Sequence, residues 1–278
     1  MGKNKEKTFF IHYLPIYGSF STGLIYGAIG VIAILSFLRL KDGGADESSL
    51  MAYLNDYLLG KILIGIILMG TLSYIIWRIY ESYKDPYNYG SNWKGIMRRT
   101  GIGLSSIADV LIAYSAIVIL IGNSNVREDG VPAEEREMVG SMLSENWGDW
   151  VVVSIGVIII LTALVQFFYG ITRGYKERLS IKHFNGKLKM LINILAWAGY
   201  FARGFIIGII GFFFIKAGIL ENPNYIVNTD KAFNFIGENI GHFFFILVAV
   251  GTICYGAFMF FLGYTYNIED RDNPLIST

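Results

Sequence analysis

The sequence predicts an all-α polytopic membrane protein: six transmembrane helices as three parallel two-helix repeats with pseudo-threefold symmetry. Three observations carry this. The 278-residue chain is 54% hydrophobic and 16% charged, with mean hydropathy +0.48, less charge than a soluble domain of this size carries. Its apolar residues gather into six runs of about 20 residues, the length that crosses a hydrocarbon core. The runs also recur in pairs with matching glycines.

The first run, 18–38, follows Lys3, Lys5 and Lys7. It exceeds a signal-peptide core of about 7–15 residues, and no small-x-small cleavage pattern follows it, so it reads as a retained helix. The others lie at 58–80, 101–122, 150–171, 196–215 and 243–264. Backbone inside a bilayer must satisfy its own hydrogen bonds. A helical bundle follows, because a barrel would need alternating segments of about 10 residues.

Orientation comes from Lys and Arg in the connections. Fifteen lie on the side of the N-terminus, including Arg78, Lys84, Lys94, Arg98 and Arg99 in one connection, Arg173, Lys176, Lys182, Lys187 and Lys189 in another, and Arg271 in the tail. Seven lie on the opposite side, among them Lys41 and Arg127. Both termini are therefore expected in the cytoplasm. The basic connections also carry Tyr83, Tyr87, Tyr89 and Trp93, then Tyr175, His183 and Phe184. They fix topology and can touch anionic lipid head groups. The opposite connections contain 47–58, 133–147 and 229–240. Each opens on a capping or acidic residue and then places apolar residues at helical spacing, such as Leu50, Leu54 and Leu58. Each reads as a short amphipathic helix, interfacial or capping, near the outer interface, with an ordered loop packed over the bundle as the alternative.

The repeats fall at about 17–90, 99–178 and 196–267 within a single membrane domain, 1–278. Gly18, Gly23, Gly27 and Gly30 recur 181 residues later as Gly199, Gly204, Gly208 and Gly211, and Gly70 and Tyr74 recur as Gly251 and Tyr255. Each return helix opens on glycine plus a polar residue: Gly60-Lys61, Gly148-Asp149, Gly241-His242. The middle copy is the most divergent. An even number of spans per repeat gives all copies one orientation, related by an axis along the membrane normal. The small residues give each odd-numbered helix a smooth face for close packing.

This pattern resembles the DUF1206 family of bacterial membrane proteins. The third repeat carries the family's aromatic-Ala-Arg-Gly opening at Phe201, Ala202, Arg203 and Gly204, and the first carries its aromatic-Arg ending at Trp77-Arg78. The Gly-polar starts match as well. The resemblance covers nearly the whole chain and implies three two-helix units in a bacterial inner membrane. It implies no activity. The opening arginine appears only once; Thr22 and Ile107 stand at that position in the other repeats.

Arg203 and Asp109 stand out as charges inside apolar helices. Counted from the apolar runs, both lie about eight residues in, roughly 12 Å below the helix start. A lone charge in hydrocarbon costs at least about 3 kcal/mol, and pairing would offset much of that. An Arg203–Asp109 ion pair or water-bridged contact is expected, as a clamp between repeats two and three or as a substrate or proton site. The remaining reading has Arg203 snorkelling to head groups. Gln166 and Thr162 form a second intramembrane polar spot, and Lys61, Asp149 and His242 recur at the outer interface, as a ring or as ordinary span ends.

No Walker lysine motif, dinucleotide glycine run, HExxH or GxSxG occurs, so no catalytic residue is assigned. His12 and His183 have no nucleophile nearby in sequence, and the single cysteine, Cys254, forms neither an intrachain disulfide nor a thiolate cluster. No metal or cofactor is expected. Nucleic acid is not expected either, since the basic residues form short loop clusters. The expected partners are membrane lipids and another membrane protein or complex. The function read from this is a non-enzymatic scaffold or accessory protein, with a transporter or channel for a small solute, ion or lipid as the alternative.

Overall fold

A computed structural model of the chain describes residues 2–40, 44–121, 131–179 and 184–266. Lys41, Arg127, Lys182, His183 and Arg271 lie outside the described residues.

Six long helices dominate: α1 (Gly2–Phe37), α3 (Leu58–Lys84), α4 (Trp93–Ile121), α6 (Gly148–Thr172), α7 (Gly186–Ile219) and α9 (His242–Tyr264). Three short ones fill the connections at one end: α2 (Glu47–Asn55), α5 (Ala133–Leu143) and α8 (Thr229–Phe235), the last running into a single π turn, Ile236–Ile240. Among the described residues, five helices are long and apolar enough to cross a membrane: α1 from Tyr13, α3, α6, α7 and α9. The 29-residue α4 takes the place of the third expected span. Among the described residues there is no strand, only an isolated bridge between Leu179 and Tyr266.

The long helices neighbour one another in chain order. α1 packs on α3, α3 on α4, α6 on α7, α7 on α9, and α9 back on α1, while α4 and α6 barely touch. The first helix of each repeat (α1, α4, α7) thus meets the return helix of the preceding repeat, and in the first and third repeats also its own. The second repeat departs from this by its loose α4–α6 seam.

The packing of repeats one and three agrees residue by residue. A Cβ on Gly18 would lie 2.4 Å from Tyr74 Cβ, and one on Gly199 would lie 2.6 Å from Tyr255 Cα. These glycines let each odd helix close onto the equivalent tyrosine of its return helix. The glycine opening each return helix serves a turn. At Gly60 a Cβ would fall 1.8 Å from the Leu54 carbonyl oxygen, and at Gly148 it would fall 1.8 Å from that of Met142, the matching residue. Gly241 meets no such neighbour but sits at φ +127°, where a side chain is strained.

The short helices cap one end of the bundle. Asp46 caps α2, accepting from the Ser48 and Ser49 amides at 3.2 and 3.3 Å. α2 buries Leu50 and Met51, α5 buries Val139, and α8 buries Ala232 and Phe233. The Ala45 amide donates to Asp230 Oδ1 at 2.8 Å, and Thr229 Oγ1 donates to Glu47 Oε2 at 3.1 Å. Arg136 Nε donates to the Ile226 carbonyl at 3.2 Å. The expected short helices thus form within all three connections, seated over this end of the bundle.

Through the middle runs a column of rings. Tyr26 meets Tyr255 edge-on at 5.3 Å, Tyr255 meets Tyr200 at 5.5 Å, and Tyr200 stacks on Tyr175 at 6.0 Å. Such contacts fill space densely while leaving hydroxyls for polar partners.

Candidate functional site

Arg203 lies at the middle of α7 and Asp109 near the middle of α4, because both helices begin well before their apolar runs. Both are buried, with 8% and 4% of their surface exposed. The expected Arg203–Asp109 ion pair is not formed. Asp109 Oδ2 instead lies 3.7 Å from Arg78 Nε. α4 packs along α3, which carries Arg78, whereas α7 stands across the bundle interior. Equal depth on two helices therefore did not mean contact.

Arg203 donates from Nη1 to the Tyr255 hydroxyl. Its guanidinium carbon lies 4.9 Å from the Tyr26 ring centroid and 5.0 Å from that of Tyr255. Arg78 Nη2 donates to the Tyr74 hydroxyl at 2.8 Å, and its guanidinium lies 4.4 Å over the same ring. Tyr74 and Tyr255 occupy matching repeat positions. Each therefore carries a cation, but from a different source: Arg78 comes from one turn along the same helix, Arg203 from the neighbouring odd helix. The two clusters face each other, and Arg203 and Asp109 remain within electrostatic reach. Arg203 Nε and Asp109 Oδ2 have no hydrogen-bond partner.

Towards the capped end, Glu47 of α2 reaches Thr229 and interacts with Tyr26 and Arg203. Burial raises its carboxyl above the ordinary range. Asp46 is pushed up to about 7, first by burial and then by the neighbouring Glu47 and Asp230 charges, against lowering by its Ser49 bonds. Asp230 is raised by burial as well. The polar groups thus form a chain from the α2–α8 junction to the middle of the bundle.

The other sequence candidates stay apart from this chain. Thr162 returns its hydroxyl to the Ile158 carbonyl at 2.9 Å, and Gln166 is half-buried on the same helix. Both belong to α6, across the loose seam from α4. Lys61 and His242 are exposed and Asp149 is half-buried; the His242 ring meets Phe37 at 5.3 Å. Among the described residues no group of three His, Cys, Asp or Glu side chains is arranged to hold a metal. Sequence reasoning missed Arg78, Tyr26 and Glu47 as interior groups. In the sequence Arg78 reads as a basic residue of the second connection and as the aromatic-Arg ending at Trp77-Arg78. Glu47 read as the start of a capping helix, and nothing local signals that its side chain turns inward. Tyr74 and Tyr255 were legible as a repeated pair, without their arginines.

Residues 17–85, 100–173 and 198–266 match the family described as Domain of Unknown Function (DUF1206). The chain is also similar to the "Uncharacterized protein YxxB" of Bacillus subtilis (strain 168), with 26% identity over 270 residues, covering 95% of this chain and 94% of the relative. No solved structure matches it.

Proposed function

The chain belongs to the DUF1206 family, and we propose that it acts as a non-enzymatic scaffold or accessory protein of a bacterial inner membrane, with both termini cytoplasmic. The observation that supports this most is the way the interior is filled. Arg203 joins α7 to α9 and α1, and Arg78 joins α3 to α4. The space between is occupied by Tyr26, Tyr74, Tyr200 and Tyr255. Charges in the middle of a membrane helix are costly and persist where they pair or stack. Here they tie helices from all three repeats. Around this clamp, α6 exposes Trp150, Leu161, Leu164 and Phe168, an apolar face that can receive lipid or a helix of another membrane protein.

A path for a small solute or ion is the second reading, favoured by interior charged atoms without a hydrogen-bond partner among the described residues, Arg203 Nε and Asp109 Oδ2 included. Flux through liposomes holding the purified chain separates the two. Under the scaffold reading, K⁺, Cl⁻ and proton fluxes equal those of protein-free liposomes, and Arg203→Ala lowers only the melting temperature. Flux by the natural chain that Arg203→Ala abolishes in a folded protein would establish the second reading instead.

A further inference from the structure

The capped end of the bundle closes over Arg203 through carboxyl groups. Two hydrogen bonds join α2 to α8 across 185 and 182 residues of sequence, and both end on an acid. The Ala45 amide, just before α2, donates to Asp230 Oδ1 at 2.8 Å, and the Thr229 hydroxyl donates to Glu47 Oε2 at 3.1 Å. Asp46 stands between these two acids in the chain. Its Oδ1 accepts from the Ser49 hydroxyl and its Oδ2 from the Ser48 and Ser49 amides. Asp46 and Asp230 are 3% and 6% exposed. Glu47 turns inward, where it interacts with Tyr26 of α1 and Arg203 of α7.

The cations around this junction do not match three ionised carboxyls. Lys231 Nζ lies 3.4 Å from Asp230 Oδ2. Arg203 is shared between Glu47 and Asp109 of α4. Lys216 of α7 is held 4.2 Å over the Tyr225 ring. Lys61 at the start of α3, Glu238 of the π turn and His242 at the start of α9 are exposed. Ionised together, the three acids would set like charges side by side in a buried space. Protonated, each still has a carbonyl oxygen to accept the bonds that close the junction.

We propose that the α2–α8 junction is a proton-held latch: with its acids protonated it seats the two short helices over Tyr26 and Arg203, and with Asp46, Glu47 and Asp230 ionised it parts and opens the capped end towards Arg203. Burial pushes all three carboxyls up, Asp46 to about 7, so parting releases protons and is favoured as pH rises. Arg203 stays bonded to Tyr255, so the latch changes what reaches the guanidinium, not where it sits. The latch rests on neither reading of the function; only the assignment of its end to the outer side rests on the proposed topology.

The test is hydrogen–deuterium exchange of the full-length chain in mixed micelles from pH 5 to 7, corrected for the chemical exchange rate. One proton released by Asp46, between its ordinary 3.8 and about 7, raises the open population about tenfold per pH unit. The amides of α2 and α8 should lose protection by about that factor per unit, while those of 248–262 in α9 keep theirs. Asp46→Asn/Glu47→Gln/Asp230→Asn, which keeps the acceptors and removes the charges, should abolish the slope. His242→Gln, which removes the histidine at the same end, should leave it unchanged. A flat profile in the natural chain, an equal loss in α9, a slope retained by the triple variant or a slope lost in His242→Gln overturns the proposal. Should the triple variant not fold, Asp46→Asn alone decides: a reduced slope is expected, and an unchanged one refutes the latch.

Discussion

Gly256 and Gly27 face one crossing between α9 and α1, yet alanine should act on them in opposite directions. A Cβ on Gly256 would lie 2.6 Å from the Gly27 nitrogen and 2.7 Å from its Cα, short of the 3.4 Å where ordinary contact begins. Both neighbours are backbone, so no side chain can rotate away; the helices themselves must part. A Cβ on Gly27 meets nothing within 4 Å. Overpacking of this kind costs about 1–3 kcal/mol, while alanine in a helix interior gains about 0.5–1 kcal/mol over glycine. Gly256→Ala should therefore be destabilised by about 1–2 kcal/mol, and Gly27→Ala stabilised by up to about 1 kcal/mol. Reversible unfolding in mixed micelles, read as the midpoint of a detergent titration, measures both. Equal destabilisation by the two variants, or a Gly256→Ala protein as stable as the natural chain, would refute the close approach of α9 to α1.

Two further outcomes follow from the buried charges. Asp109→Leu leaves Arg78 uncompensated and should cost about 2–4 kcal/mol, whereas Asp109→Leu/Arg78→Met should cost less than the sum of the single changes in the same unfolding assay; strict additivity would mean that the 3.7 Å pair carries no coupling. The Asp46 carboxyl titrates at about 7 in the folded chain against an ordinary 3.8, so the native state holds a proton that the unfolded chain has released. Its contribution to stability is full at about pH 4 and declines as pH rises to about 7. The melting temperature should fall between about pH 4 and 7, and Asp46→Asn, which keeps a capping side chain, should flatten that fall without abolishing it, because Glu47 and Asp230 shift in the same direction. A melting temperature that rises over this interval would contradict the burial of these acids.

Much of the fold was legible because membrane helices and repeats are one-dimensional signals. Runs of apolar residues mark spans by length alone, and a spacing of 181 residues placed Gly18 with Gly199 and Tyr74 with Tyr255 before any contact was known. The glycine at 60 and 148 was readable as a shared feature, although its reason, a carbonyl 1.8 Å from where a Cβ would sit, was not. The buried site was less legible. Depth along a helix can be counted, and it singled out Arg203 and Asp109. Direction around a helix axis, and which helix stands opposite, cannot be counted. Asp109 is therefore matched in sequence with the wrong arginine, and Arg78, which reads as a basic residue of a connection, meets Asp109 and Tyr74 instead.

The sequence by itself determined the helical class, the repeated units and the positions of the costly charges, because each depends on residue type and spacing along the chain. Only the tertiary structure decided who meets whom. The pairing of Arg78 with Asp109, the seat of Arg203 on Tyr255 and Tyr26, the inward turn of Glu47 and the loose α4–α6 seam all depend on how the helices are rotated and packed. That packing is set by close contacts between residues far apart in sequence, such as Gly256 against Gly27, whose combined effect no local pattern records.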